Sequence, residues 1–179
     1  MNQETLEADI RAAFSAAPFP GPGHLTGSRE SEEAQAIETE FADKSDWTAL
    51  KAEFLNQAPQ GHGSALSFFS HAALRFYLPA YLLADLAGQA SRADVVFHLC
   101  HGFDNASKDT PINPRRYGDK TWFQNASERF AAFTHQEAAA ITHYLEYKLQ
   151  NARHHGPTTQ RIQEALDNYW SKRTLQPHR

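Results

Sequence analysis

Apolar residues return along this chain at intervals of three and four, the spacing that aligns one face of an α-helix. Leu6, Ile10, Ala13, Phe14 and Ala17 form the first such stripe, and Pro18 ends it. The run Phe19-Pro20-Gly21-Pro22-Gly23 alternates a fixed φ with permissive glycine and predicts a turn or an extended connector. A second helix is expected from about Ser31 to Asp43, with Ala34, Ile37 and Phe41 inward and the glutamates between Glu30 and Glu40 mostly outward. Ser45 or Asp46 can cap a short third helix carrying Trp47, Leu50, Phe54 and Leu55, which Pro59 and a Gly61-His62-Gly63 turn would close.

The most apolar stretch is Ala65 to Leu86. Ser70 is placed to cap a helix in which Ala73, Leu74, Tyr77 and Leu78 share a face, and Pro79, lacking an N–H, predicts a kink or a restart. Ala80 to Leu86 is apolar nearly all round except for Asp85, as befits a helix inside a core. Near the end of the chain, Thr134-His135-Gln136-Glu137 is a capping box opening a helix with Ala138, Ile141, Leu145 and Leu149 inward. Gly156-Pro157 breaks it, and Ile162, Ala165, Leu166, Tyr169 and Trp170 repeat the stripe before a frayed tail at 171–179. Val95 to Phe103 fits either a helix or a strand. The segment of about 104–127 shows no period, and structureless loops longer than ~12–15 residues in a compact domain are usually functional or disordered. The fold expected is all-α: a single compact multi-helix domain over 1–170 with one long irregular loop.

Two runs in the centre, Ala65-Leu66-Ser67-Phe68-Phe69-Ser70 and Arg75-Phe76-Tyr77-Leu78-Pro79-Ala80-Tyr81-Leu82-Leu83, resemble the signature of an uncharacterised bacterial family, a domain of unknown function of about this length. Phe19-Pro20-Gly21, Trp47, Phe133-Thr134, Tyr144-Leu145-Glu146-Tyr147, Ala165-Leu166 and Tyr169-Trp170 extend the resemblance over most of the chain. The sequence departs from that pattern at Ser70-His71-Ala72 and at Gly21-Pro22-Gly23-His24. The resemblance implies no activity, cofactor or substrate, and its residues are apolar, aromatic or turn-forming, which implies a shared core.

Composition narrows the classes of function. The chain has 179 residues, 41% hydrophobic and 21% charged, and a formal charge of -4, so it should fold, and it carries no excess of cations for general nucleic-acid binding. Cys100 is the single cysteine, which excludes an internal disulfide and a thiolate zinc cluster. Met1 to Ile10 carries Glu4, Glu7 and Asp9 rather than a basic start and an apolar run, and Ala72 to Ala87 holds Arg75, Pro79 and Asp85. The expectation is a cytoplasmic protein without a membrane partner. Ten histidines, among them His154, His155 and His178, could carry the net charge through neutrality on acidification.

No nucleophile elbow, zinc-protease helix or phosphate-cradling loop occurs, and no motif calls for a cofactor. On a helix, Asp94, His98 and His101 fall at i, i+4 and i+7, the arrangement that two imidazoles and a carboxylate would use on a divalent metal of a hydrolase. Val95, Val96, Leu99 and Phe103 lie opposite, so the same stripe also reads as the wet face of an amphipathic helix. Cys100 faces away from both neighbouring histidines and has no base. Arg115, Arg116, Tyr117, Trp122 and Phe123 crowd one part of the long loop and have the composition of interface hot spots, with Pro111 and Pro114 stiffening the free loop. The reading is therefore a protein-interaction module with one protein partner, of the immunity or regulatory type by analogy with other small bacterial families; the alternative is the metal-dependent hydrolase.

Overall fold

A computed structural model describes residues 1–28, 30–57, 65–152 and 156–175. Regular structure among them is helical, and the strand-like pairings are isolated bridges, Thr26 with Phe69 and Pro111 with Thr121. Residue contacts group into two compact units, Glu7–His98 and Leu99–Arg179 together with Met1–Leu6, a finer grouping than the one domain expected over 1–170. The expected turn at 59–63 and the histidines at 62, 154, 155 and 178 lie outside the described residues.

The unit from Glu7 takes up helix α1 (Gln3–Ala13) part-way along and buries its Ile10, with Phe14 just past its end. Helix α2 (Glu32–Glu40) starts at Ser31, whose side chain accepts from the Ala34 N–H, and stops one residue before Phe41. A 3-10 turn at Trp47–Ala49 is capped by Asp46, and single-turn helices α3 (Ala52–Leu55) and α4 (Ala65–Phe68) follow. Helix α5 (His71–Leu86) is capped by Ser70 and runs unbroken through the buried Pro79. The expected restart at that proline does not occur: ten of the helix's side chains are buried, and packing of this extent outweighs one missing backbone donor.

Phe41 sits at the middle of this core, with ring centroids 5.0 Å from Phe54, 5.1 Å from Phe69 and 4.9 Å from Tyr77. The Tyr77 hydroxyl is shared between the carbonyls of Phe41 and Lys44 at 3.1 and 3.0 Å, tying α5 to the turn that follows α2. Burial, helped by the nearby carboxylates of Asp43 and Glu38, raises the Tyr77 pKa far above the ordinary phenol, so this group stays a donor.

The glutamates of α2 are mostly outward as expected, with Glu38 bonded to the preceding loop. The Glu38 carboxylate accepts from the backbone N–H groups of Gly23, Leu25 and Thr26 and from the Thr26 hydroxyl. The other side of the same loop is tied to the start of α5, with Ser70 N donating to Leu25 O at 2.9 Å, Ser70 Oγ to His24 O at 2.7 Å and Gly27 N to Phe68 O at 3.0 Å.

Helix α6 (Val95–Cys100) decides between helix and strand for the segment that follows, and Asp94 caps it by accepting from the Phe97 N–H at 2.8 Å. In the unit from Leu99, Gly102 adopts φ +87, and a Cβ there would lie 2.8 Å from Ala126 Cβ and 2.9 Å from Trp122 O. The segment of about 104–127 is more regular than its composition predicts. It contains a 3-10 turn at Ala106–Lys108, helix α7 (Pro114–Tyr117) and the first turn and a half of helix α8 (Trp122–Arg129), each too short to print a period on the sequence.

Helices α9 (His135–Gln150) and α10 (Pro157–Ala165) appear as expected, and α9 carries the predicted capping box, with Thr134 N to Glu137 Oε2 at 2.7 Å and Glu137 N to Thr134 Oγ1 at 3.2 Å. Leu166–Trp170 forms a π turn, and helix α11 (Ser171–Leu175) continues from it. The segment expected to fray is thus helical to Leu175, held by His135 on the Thr174 carbonyl and by the Arg173 guanidinium donating to Phe133 O. Around Trp170 the rings of Phe130, Tyr169 and Phe103 lie at 5.0, 5.0 and 6.0 Å, Phe103 stacks on Tyr169 at 4.1 Å, and Trp170 Nε1 donates to Leu99 O at 2.8 Å.

Candidate functional site

The sequence puts a helix start at Asn113-Pro114, since proline lacks only an N–H that the first turn does not use, and Asn113 accepts from the Arg115 N–H at 3.2 Å. Gly118, at φ +60, ends the single turn of α7 and sends the chain back. Two backbone bonds then close the loop at its base, Ile112 N to Lys120 O at 3.0 Å and Trp122 N to Thr110 O at 3.1 Å, on either side of the Pro111–Thr121 bridge. Thr121 and Gln124 form a capping box that starts α8 directly from this clasp, and Lys120 pairs with Glu128 at 2.6 Å. The result is an arm with a fixed base and a one-turn helical tip.

The five residues whose composition suggested an interface divide between these two parts. Arg115, Arg116 and Tyr117 are all exposed at the tip, Tyr117 to 47%, and the Arg116 guanidinium lies 5.4 Å from the Tyr117 ring centre. Trp122 and Phe123 are half-buried at the base, Trp122 edge-on to His101 at 5.0 Å and Phe123 edge-on to Phe103 at 5.7 Å. One part is presented to solvent and the other anchors it. The clasp, α7 and the Thr121 capping box are the parts that sequence reasoning missed; Asn113-Pro114 and Gly118 were the signals for α7, and the Thr121-to-Gln124 spacing was the signal for the capping box.

Asp94 and His98 flank and occupy α6, and His101 follows its end. Asp94 spends one oxygen on the Phe97 N–H, and His98 lies edge-on to Phe97 at 5.4 Å. Among the described residues, no three or more His, Cys, Asp or Glu side chains gather where they could hold a metal ion. Partial desolvation lowers the His101 pKa below the ordinary imidazole value, Arg129 and Arg161 add to the effect, and Asp104 opposes it. Burial works to raise Asp104, but hydrogen bonds from the Ser107 hydroxyl and N–H outweigh it and leave the carboxyl below its usual range. Cys100 is buried and free. No helix of the described residues is long and apolar enough to cross a membrane.

The model of a family of unknown function, DUF6714, matches residues 2–174. The chain belongs to that family. No curated protein and no solved structure matches it. In this DUF6714 chain Leu66, Phe69, Phe76, Tyr77, Leu78 and Tyr81, which carry the central sequence pattern, are all core residues, and Ser70 and Phe19 fasten the first loop, Phe19 through its ring 5.3 Å from Phe76.

Proposed function

We propose that this DUF6714 chain is a protein-interaction module whose contact surface is the tip of the arm at 110–122. The observation that carries the reading is that two arginines and a tyrosine stand exposed on a loop whose base is closed by backbone hydrogen bonds. Arg and Tyr are among the residues that dominate interface energies, and a loop ordered before binding loses less entropy on contact. Two adjacent guanidiniums on a chain with a formal charge of -4 favour a partner with an acidic surface, drawn in by complementary charge.

The test is capture of the native partner from cell extract by the wild type and by Arg115→Ala with Arg116→Ala. The double variant should keep the wild-type melting temperature, because neither side chain is buried, and should weaken capture by at least ~30-fold, the effect of losing ~2 kcal/mol of hot-spot contact. Trp122→Ala should instead lower the melting temperature. If the double variant captures the same partner at undiminished affinity, the arm is not the contact surface, and the loop from Pro18 to His24 is the next to test.

A further inference from the structure

Charge is divided unevenly along this chain. The unit Glu7–His98 holds twelve Asp and Glu against six Lys and Arg, whereas the rest of the chain, which carries the arm, holds nine against eleven. A chain of two opposite halves has on itself both of the surfaces that complementary charge draws together. On the basic side stands the arm tip, where Arg115 and Arg116 outnumber the neighbouring exposed carboxylate, Asp119, and the Tyr117 ring is open to solvent.

The acidic unit has a groove of about 460 Å³ between α3 and the turn that follows α2. Leu50 and Phe54 form its apolar part, and both are half-buried, so neither is fully covered by the chain's own core. The rim carries three carboxylates, Asp43, Asp46 and Glu53, against two ammoniums, Lys44 and Lys51. Lys44 pairs with Asp43 and lies 5.4 Å from the Phe54 ring centre, which balances that edge. Asp46 accepts from the Thr48 hydroxyl and N–H, and these bonds hold its carboxyl below the usual range and therefore ionised. The groove is thus concave, apolar within and richer in carboxylate than in ammonium, whereas the arm tip is convex, aromatic and richer in guanidinium.

From this we infer that the chain associates with copies of itself, the arm tip of one copy seating in the Phe54 groove of another. Tyr117 covers Leu50 and Phe54, and Arg115 and Arg116 meet the carboxylates of the rim. A simple cation would satisfy the rim and leave the apolar part wet, whereas a tyrosine between guanidiniums complements both. The inference rests on the arm being the contact surface and adds the partner it meets: the acidic surface is the chain's own. Tip and groove are different patches, so the contact is heterologous. One loop tip buries little area, which puts the association in the weak class.

The experiment is sedimentation velocity of the purified full chain at low salt from ~1 μM to ~1 mM, a span that covers weak contacts. The wild type should gain mass with concentration, and added salt should reverse the gain by screening exposed charges. Arg115→Glu with Arg116→Glu, and separately Asp43→Arg with Glu53→Arg, should each weaken self-association by at least ~30-fold, the effect of losing a hot-spot contact. All four positions are exposed, so both variants should melt with the wild type. An equimolar mixture of the two variants should associate again, because each reversed surface then finds its reversed complement on the other chain. A wild type that stays monomeric at ~1 mM would overturn the inference, and so would a mixture no more associated than its components or an arm variant that associates like the wild type. The arm reading itself fails by a different result, undiminished capture by the double alanine variant.

Discussion

Two aromatic clusters, one in each unit, reach similar density by different means. Around Phe41 the rings come from helices of regular geometry and the segments that flank them, and a single polar atom, the Tyr77 hydroxyl, ties α5 to the turn that follows α2. Around Trp170 the backbone itself departs from the regular. A π turn at Leu166–Trp170 keeps Leu166, Tyr169 and Trp170 all buried, and Gly102 folds left-handed so that the chain can pass against α8. The first core is built by choosing side chains for ordinary helices, the second by bending the backbone until large rings fit. A core of the second kind concentrates its sensitivity to change in a few backbone positions.

The sharpest way to break this contrast is to place the same substitution at two glycines of equal φ. Gly102 has φ +87 and Gly21 has φ +86, but a Cβ at Gly21 meets nothing within 4 Å. Gly102→Ala should cost about 4 kcal/mol, since left-handed strain and a forced overlap with backbone at Trp122 each contribute ~1–3 kcal/mol. Gly21→Ala should cost only the strain, about 2 kcal/mol. Denaturant unfolding of both variants measures the difference, and equal losses would show that the close approach at Gly102 is not what holds the second core together.

A smaller effect sharpens the other side. Tyr77→Phe removes the hydroxyl from the carbonyls of Phe41 and Lys44 with the ring left in place, and should cost about 1–2 kcal/mol. A change under ~0.5 kcal/mol would place this position with ordinary surface sites and remove the polar tie from the account of the first core.

The smallest effect concerns charge beside the second cluster. A histidine whose folded pKa lies below the ordinary value binds its proton less well folded than unfolded. His101 therefore contributes stability that is fully present above pH ~6.5 and is lost as the pH falls through the folded value. An NMR titration should place its midpoint below ~6.5. Arg161→Gln should raise that midpoint and Asp104→Asn should lower it further; a midpoint indifferent to both would mean that desolvation alone sets it.

Much of this architecture was legible because long helices write their period on the sequence. Helix α5, the Thr134 capping box and the inward stripe from Ile162 to Trp170 could all be read from spacing. The stripe hid its own irregularity, since a π turn shifts the hydrogen bonds while leaving the same residues buried. Helices of four residues, such as α3, α4 and α7, are too short to show a period, and so the arm read as an irregular loop although its tip residues could be named from composition. Trp47 was readable as inward from its spacing to Leu50 and Phe54.

Glu38 has one more consequence, for where this chain can be cut or lengthened. By composition, the stretch from Pro18 to Gly27 looks like a linker, the natural site for an inserted tag, a circular permutation or a protease. Tolerance of that kind follows from unbonded, exposed backbone rather than from proline and glycine content. Here one carboxylate holds three amides of the loop, while Leu25 is fully buried and the carbonyls of His24 and Leu25 are bonded to Ser70. An insertion between Gly23 and Thr26 would therefore part α2 from the start of α5, and what looks like slack in the chain is one of its seams.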